Sequence, residues 1–286
     1  MNHIKTMLRQ EKVLVSTGIA GFLAGIFCLI YIVFRGGSIV PPEGDILRAV
    51  SFDFAIGLFA LTTAFLMPFA NFSRISGHVF RFSVLITFLI SILIETTQHF
   101  RGIDPRFSSS TAPFDITLGS MFGLNAILII LTYLFFTWQI FRPSTIKLSP
   151  NMVVAIRYGM LSVLLSFAVG FWITSLGSRF TGMDGNIIWL HGLGFHGVQL
   201  IPILAWLLGK SHLQDQTQKS LIHVTGFLWS IVLLSIGIQT YNGQSVFELS
   251  PIMLVGWISA AVYVILLSYV VSLVPKKKDL NLKKTG

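Results

Sequence analysis

The sequence has few charged residues and a single cysteine. Asp, Glu, Lys and Arg make up 11% of the 286 residues, hydrophobic residues make up 53%, and the mean hydropathy is +0.78. Soluble domains carry about 25% charged residues, so this composition excludes a soluble globular protein and indicates a polytopic membrane protein. Because Cys28 is the only cysteine, neither an intramolecular disulfide nor a thiolate metal cluster can form.

Acidic residues are also scarce, since 11 Asp and Glu face 20 Lys and Arg, for a net charge of +9. In a soluble protein this excess would suggest nucleic acid, but here the basic residues flank apolar runs. In that position they set topology and contact anionic lipid. We therefore expect membrane lipids, and not nucleic acid, as partners.

Several catalytic motifs are missing from the sequence. It contains no Walker loop, no H-E-x-x-H and no G-x-S-x-G. The paired-glutamate signature of intramembrane prenyl-protein proteases is absent as well. No catalytic residue and no metal ligand set can therefore be assigned from a motif.

Eight apolar runs are long enough to cross about 30 Å of hydrocarbon as helices. The predicted fold is an all-α integral membrane protein, a bundle of about eight transmembrane helices forming a single polytopic domain over 1–286. The predicted spans are Val13–Phe34, Val50–Phe69, Phe82–His99, Ile116–Phe141, Val153–Leu176, Ile187–Leu208, Leu221–Thr240 and Ile252–Val274.

The basic residues predict the orientation of these spans. Fifteen of the 20 Lys and Arg lie on one side, and the other side has only Arg35, Arg48, Arg101, Arg106 and Arg179. Short cytoplasmic loops are enriched in Lys and Arg. We therefore expect a bacterial cytoplasmic membrane protein with both termini in the cytoplasm and the loop after Glu95 outside.

Two short patterns recur at a constant offset. Residues 43–46 (EGDI) resemble 184–187 (DGNI), and residues 98–102 (QHFRG) resemble 239–243 (QTYNG), both 141 positions later. Two parallel four-helix repeats, 1–145 and 146–286, would explain them. Chance would explain them equally, because glycine is common in turns.

Ionisable residues are concentrated at the end of the third span. Glu95, Gln98 and His99 share one helix face at spacings of three and four, and Arg101, Arg106 and Asp115 follow. Ionisable groups in apolar segments are costly unless paired, so they indicate a site. Glu95 could instead be the structural partner of Arg101 or Arg106, and Asp115 could simply complement a helix N-terminus.

A second group of polar residues opens the sixth span from the same side. His191 and His196 are about 140° apart around a helix, so they cannot both bind one metal from an unbroken helix. His196 and Gln199 share a face, where an imidazole needs a hydrogen-bonding partner. Asp53 and Gln239 complete the polar groups of the outer half.

The pattern Ile94-Glu95-x-x-Gln98, followed by Asp115 and glycines, is similar to VanZ-like membrane proteins. This resemblance covers the third and fourth spans and implies a context in the cell envelope, as VanZ-like proteins are linked to glycopeptide resistance. It departs at Gly119, where that family has Asn four residues after the aspartate. Over most of its length the chain also resembles a family of uncharacterised bacterial multi-spanning membrane proteins.

These observations leave three functional hypotheses open. In the first, a polar pocket in the outer half binds or translocates a small or amphipathic envelope ligand through Glu95, His196 and Gln199, with Arg101 or Arg106 attracting an anionic group. In the second, a membrane oxidoreductase holds haem b between His99 and His191 or His196. In the third, Glu95, His99 and His196 serve a metal-dependent hydrolase. The residues predicted to bind ligand are Glu95, Gln98, His99, Arg101, Asp115, His191, His196 and Gln199.

Overall fold

The computed structural model describes residues 10–147 and 149–275, and within them it contains eight helices long and apolar enough to cross a membrane. The predicted class, an all-α bundle of about eight membrane helices, is confirmed. The helices are α1 (Lys12–Arg35), α2 (Ile46–Leu66), α3 (Arg74–Phe100), α4 (Pro113–Phe141), α5 (Pro150–Leu176), α6 (Ile187–Leu208), α7 (Asp215–Tyr241) and α8 (Pro251–Ser272).

Helix ends are decided by capping residues more than by hydropathy. Helix α3 begins at Arg74, eight residues before the apolar run, because the Ser73 hydroxyl accepts the N–H of Ser76 at 3.2 Å. Helix α8 begins at Pro251, where the Ser250 hydroxyl accepts the N–H of Met253 at 3.1 Å. Both helices therefore begin before the stretches that hydropathy alone predicts.

Two short antiparallel hairpins precede α2 and α6. Strand β1 (Ile39–Val40) pairs with β2 (Gly44–Asp45), and β3 (Phe180–Thr181) pairs with β4 (Gly185–Asn186). Two residues are too few for an alternating strand pattern, so the sequence shows them only as loops. Short 3₁₀ turns at Met67–Phe69 and Pro143–Lys147 follow α2 and α4.

The chain forms two compact units that divide between Gln139 and Ile140. We call them unit 1 and unit 2. In unit 1 the N–H of Glu43 donates to the carbonyl of Gly102 at 2.8 Å, which fixes the hairpin to the end of α3. In unit 2 the N–H of Asp184 donates to the carbonyl of Gly243 at 3.0 Å, at the same offset of 141 residues.

Further contacts recur at this offset. Gly36 ends α1 and Gly177 ends α5, both in the left-handed conformation. The remaining equivalent contacts are Ile46 N–H to Ser38 O and Ile187 N–H to Arg179 O, Ile103 N–H to Gln98 O and Gln244 N–H to Gln239 O, and the ring pairs Tyr31–Phe100 and Trp172–Tyr241. The two units thus build the same local structure from largely different residues.

The first two helices of each unit pack closely, but by different means. A Cβ on Gly21 of α1 would lie 2.8 Å from the carbonyl oxygen of Asp53 in α2, so the two backbones are in contact. In unit 2 the hydroxyls of Ser162 and Ser166 donate to the carbonyls of Gly194 and His191 at 2.5 and 2.8 Å. Serine hydrogen bonds in unit 2 therefore replace a glycine contact in unit 1.

Gly102 joins the end of α3 to the first hairpin, and we expect Gly102→Ala to destabilise the protein more than Gly36→Ala. Both glycines have positive φ, 82° and 76°, so both alanines carry the same backbone strain, about 1–2 kcal/mol. A Cβ on Gly102 would also overlap the Pro41 carbonyl, whereas nothing lies within 4 Å of one on Gly36. Thermal unfolding of the two purified variants in detergent measures the difference. Equal losses would show that the hairpin does not need this close approach.

Candidate functional site

Glu95 and His99 form a buried pair at the end of α3. Both side chains have 0% exposure, and His99 Nε2 lies 3.3 Å from Glu95 Oε1. The backbone N–H of Asp45 donates to His99 Nδ1 at 3.2 Å, so Nδ1 must be the unprotonated nitrogen. Nε2 is then the ring nitrogen that faces Glu95 as a hydrogen-bond donor.

The second oxygen of Glu95 faces Arg106, which comes from the loop after α3. Arg106 Nη2 lies 2.8 Å from Glu95 Oε2, and the guanidinium stands 5.2 Å from the ring centres of both Phe52 and Phe122. Cation–π contacts of this kind hold a guanidinium plane in place. Of the two arginines that the sequence offered as partners of Glu95, the structure selects Arg106.

Arg101 pairs instead with Asp115 at the start of α4. Its Nη1 donates to Asp115 Oδ1 at 2.5 Å and to Gln98 Oε1 at 2.6 Å, and the guanidinium lies 4.6 Å from the Phe114 ring. Gln98 Nε2 and Ser110 Oγ also donate to the Asp115 carboxylate. Asp115 is thus an ion-pair partner that joins α3 to α4, and not only an acid at a helix N-terminus.

Sequence reasoning missed a third ion pair and the acids of the first hairpin. Arg48 Nη1 donates to Asp104 Oδ2 at 2.8 Å, and Asp45 lies 3.6 Å from the same guanidinium. The Ser109 hydroxyl and then its backbone N–H donate to Glu43 Oε1 and hold the pKa of Glu43 below its ordinary value. An acidic turn before a membrane helix was the available signal, but the pairs Arg48–Asp104 and Glu43–Ser109 join residues more than 50 positions apart.

We call these side chains the unit 1 polar network. Its members are Glu43, Asp45, Arg48, Glu95, Gln98, His99, Arg101, Asp104, Arg106, Ser109, Ser110 and Asp115. The three buried carboxylates, Glu95, Asp104 and Asp115, each have an arginine partner. The arginines are more exposed than their partners, with side-chain exposures of 28% for Arg106, 40% for Arg101 and 44% for Arg48. The network therefore presents cationic groups at its surface and keeps most of its carboxylates inside.

An aromatic cluster lies further along the helices of unit 1. Tyr133 stacks on Phe59 and Phe88, at 4.6 and 6.1 Å between ring centres, and its hydroxyl bonds to Thr63 at 2.7 Å. Phe59 is about 9 Å along α2 from Asp53, and Phe88 about 10 Å along α3 from Glu95.

The predicted residues of unit 2 are also paired within their own unit. His196 Nδ1 lies 2.6 Å from Gln199 Oε1, and both side chains are half-buried. His191 Nδ1 donates to the Ser166 carbonyl at 2.8 Å, so this ring contributes to the packing of α5 and α6. The predicted convergence of Glu95 and His196 relates the two units and stays a prediction.

Unit 2 lacks most of the network's charge at the equivalent positions. The residues 141 positions after Glu95, Arg106, Asp104, Arg48 and Asp115 are Ile236, Phe247, Ser245, Trp189 and Gly256. Gln98 is the exception, since Gln239 is also buried and bonds to the loop after its helix, donating to the carbonyl of Ser245 at 3.0 Å. The glutamine is therefore part of the shared scaffold, whereas the charged residues that form these ion pairs in unit 1 have uncharged counterparts in unit 2.

The ring contacts of His99 bear on the haem hypothesis. Both nitrogens are occupied, Nδ1 by the Asp45 N–H and Nε2 by Glu95, so iron could bind only after one contact broke. Among the described residues, no three His, Cys, Asp or Glu side chains are grouped so as to hold a metal ion. The described geometry thus gives no specific support to either cofactor hypothesis.

The linings of two cavities include no residue of the network. An apolar one in unit 2 is lined by Leu165, Leu190, Leu233, Leu234, Gly237, Ile238 and Tyr241. The other, near the start of α1, is lined by Gln10, Lys12, Val13, His78, Arg81 and Phe82. Arg101 and Arg106 are already paired with Asp115 and Glu95, so a ligand that bound either arginine would exchange with its carboxylate. The predicted pocket stays a proposal.

The fold and the network define the class of the protein as a multi-pass, all-α membrane protein with an ionic network in one of its two units. No protein-family model matches the chain, and neither a curated protein nor a solved structure matches it. The resemblance to VanZ-like proteins therefore stays a prediction that rests on residues of α3 and α4.

Proposed function

We propose that the protein binds, and translocates, a small or amphipathic envelope ligand with an anionic group, and that the unit 1 polar network is the binding site. The observation that carries this proposal is the difference between the units. Unit 2 forms the same hairpin, helix ends and loop contacts with Ile236 and Phe247 where unit 1 has Glu95 and Arg106. The fold does not require these charges, and buried charges retained without a structural need favour a site.

The ligand is inferred from the exposed cations of the network. The guanidinium groups of Arg101 and Arg106 lie against aromatic rings, and each forms one ion pair among the described residues. A planar guanidinium pairs well with a carboxylate or phosphate, so an incoming anionic group can replace Asp115 or Glu95. The apolar part of an amphipathic ligand would lie along the surrounding helices.

Binding of an anionic ligand to Arg106 requires Glu95 to take up a proton. When a ligand takes Arg106, Glu95 loses its counter-charge in a fully buried position and must take up a proton to avoid an unpaired charge. Its pair with His99 supplies a second proton-bearing group beside it. Ligand binding and proton uptake are thus linked, as in a proton-coupled carrier.

The cellular location, the orientation and the partners of the protein are proposed from the sequence. We place the protein in a bacterial cytoplasmic membrane with both termini in the cytoplasm, which puts the network on the outer side. Membrane lipids are the expected partners, and nucleic acid is not expected. His191, His196 and Gln199 remain candidate ligand contacts of unit 2.

Dodecyl phosphate, a single-chain anionic amphiphile, tests the proposal. Added to purified protein in neutral detergent, it should raise the unfolding temperature and take up protons from a weakly buffered solution. Arg101→Gln and Arg106→Gln should each reduce both effects. Arg157→Gln is the matched control, because Arg157 bonds to the backbone carbonyls of residues 140–142 in unit 2. No response in the native protein, or equal responses in all three variants, would contradict the proposal.

A further inference from the structure

Asp53 is a fully buried acid outside the ion pairs of the polar network. It has 0% exposure and lies in α2, about 11 Å along the helix from its first residue. Oδ2 accepts the hydroxyl of Thr96 at 3.0 Å, whereas Oδ1 has no hydrogen-bond partner among the described residues. No Lys, Arg or His of the described chain forms an ion pair with it, in contrast to Glu95, Asp104 and Asp115.

The groups around Asp53 offer no positive charge. On α1, Gly21 packs against its backbone, and the buried thiol of Cys28 is near enough to interact with it electrostatically. On α3, Thr96 supplies the hydroxyl, and Glu95, the preceding residue, is an acid near enough to interact with Asp53 electrostatically. An ionised Asp53 would thus be a buried charge with one hydrogen bond and a second carboxylate nearby, which is strongly unfavourable.

We propose that Asp53 is a proton-binding site, and that at neutral pH it is a neutral carboxylic acid while Glu95 is ionised. Oδ2, which accepts the Thr96 hydroxyl, is then the carbonyl oxygen, and the proton lies on Oδ1. The two acids differ because Arg106 supplies a counter-charge to Glu95, whereas no basic residue in the described part of the chain forms an ion pair with Asp53. This assignment does not depend on the proposed ligand, since it follows from the ion pairs of the resting protein.

The equivalent position of unit 2 shows that the fold does not need an acid there. The residue 141 positions after Asp53 is Gly194, whose carbonyl accepts the Ser162 hydroxyl at 2.5 Å. Thr96 corresponds to Gly237, so the hydroxyl donor is absent from unit 2 together with the acid. The acid and its donor therefore occur as a pair, only in the unit that carries the network.

Infrared spectroscopy of the full chain in phosphatidylcholine vesicles at neutral pH tests this assignment. A protonated carboxylic acid has a C=O stretching band that carboxylates lack. We expect one such band, slow to shift in deuterium oxide, that moves to lower wavenumber when aspartate is labelled with ¹³C in the side-chain carboxyl. Asp53→Asn should remove it, and Glu95→Gln should retain it.

Thr96→Val identifies the acid even if Asp53→Asn does not fold. Without the hydroxyl donor, the band should move to higher wavenumber, because a free C=O bond is stiffer than a hydrogen-bonded one. The proposal would be overturned by a native protein without the band, by a band that ignores the aspartate label, or by one that ignores Thr96→Val. A band that survives Asp53→Asn would overturn it as well.

Discussion

Replacing Arg106 by phenylalanine should lower the free energy of unfolding by about 3–5 kcal/mol, and adding Glu95→Ile to that variant should restore most of the loss. The single change removes the counter-charge of the fully buried Glu95, so the folded protein must either hold an unpaired charge or take up a proton, and both are costly. The double change installs the residues that unit 2 already has at the equivalent positions, Ile236 and Phe247. Glu95→Ile alone should cost less than Arg106→Phe, because Arg106 is 28% exposed and can reach water.

Denaturant unfolding of the four proteins in one detergent at one pH gives the coupling energy of the pair. The double variant should fold and should lose the response to dodecyl phosphate, which separates the structural from the functional role of the pair. Glu11 and Arg81 form the matched control, an ion pair of unit 1 at 2.6 Å that lies outside the network. Replacing both by glutamine should leave the response intact. A double variant as unstable as the sum of its singles would show that the fold of unit 1 does need the charges.

Much of the fold could be predicted because hydropathy and basic residues act over long windows. Each predicted span lies almost entirely within an observed helix, and the start of α6 at Ile187 agrees with the prediction. The exceptions have local causes, such as the Ser73 cap that starts α3 at Arg74. Hairpins of two residues per strand leave no such signal. They are held in place by hydrogen bonds to residues far along the chain, from Glu43 to Gly102 and from Asp184 to Gly243.

The part of the site that lies on one face of α3 was predicted from the sequence. Spacings of three and four placed Glu95, Gln98 and His99 together, and all three are fully buried. The choice of Arg106 over Arg101 as the partner of Glu95 depends on the path of the loop, including the positive φ of Gly102. Neither that path nor the pairing of Arg48 with Asp104 follows from spacing along the chain.

The unpaired acid illustrates a different limit of sequence reasoning. Asp53 was recognised as a polar residue of the second span, but its lack of a basic partner is a property of three packed helices. The recurrence at an offset of 141 residues identifies which residues are specific to unit 1, since it pairs each charged residue of that unit with a position in unit 2. That comparison separates Gln98, which has a counterpart in Gln239, from Arg106, the partner of Glu95, which has none.

Thr111→Cys should react with a membrane-impermeant maleimide on intact cells, whereas Ser144→Cys should react only after the membrane is permeabilised. Both positions are exposed, and they lie at opposite ends of α4. The effect should be all or none, because the positive-inside rule places the loop before α4 outside and the connection after it in the cytoplasm. The native chain is the control, since its single cysteine, Cys28, is buried and should stay unlabelled. Labelling of both variants on intact cells would contradict the eight-span topology. Labelling of Ser144→Cys alone would place the polar network at the cytoplasmic surface, and the anionic ligand would then approach from the cytoplasm.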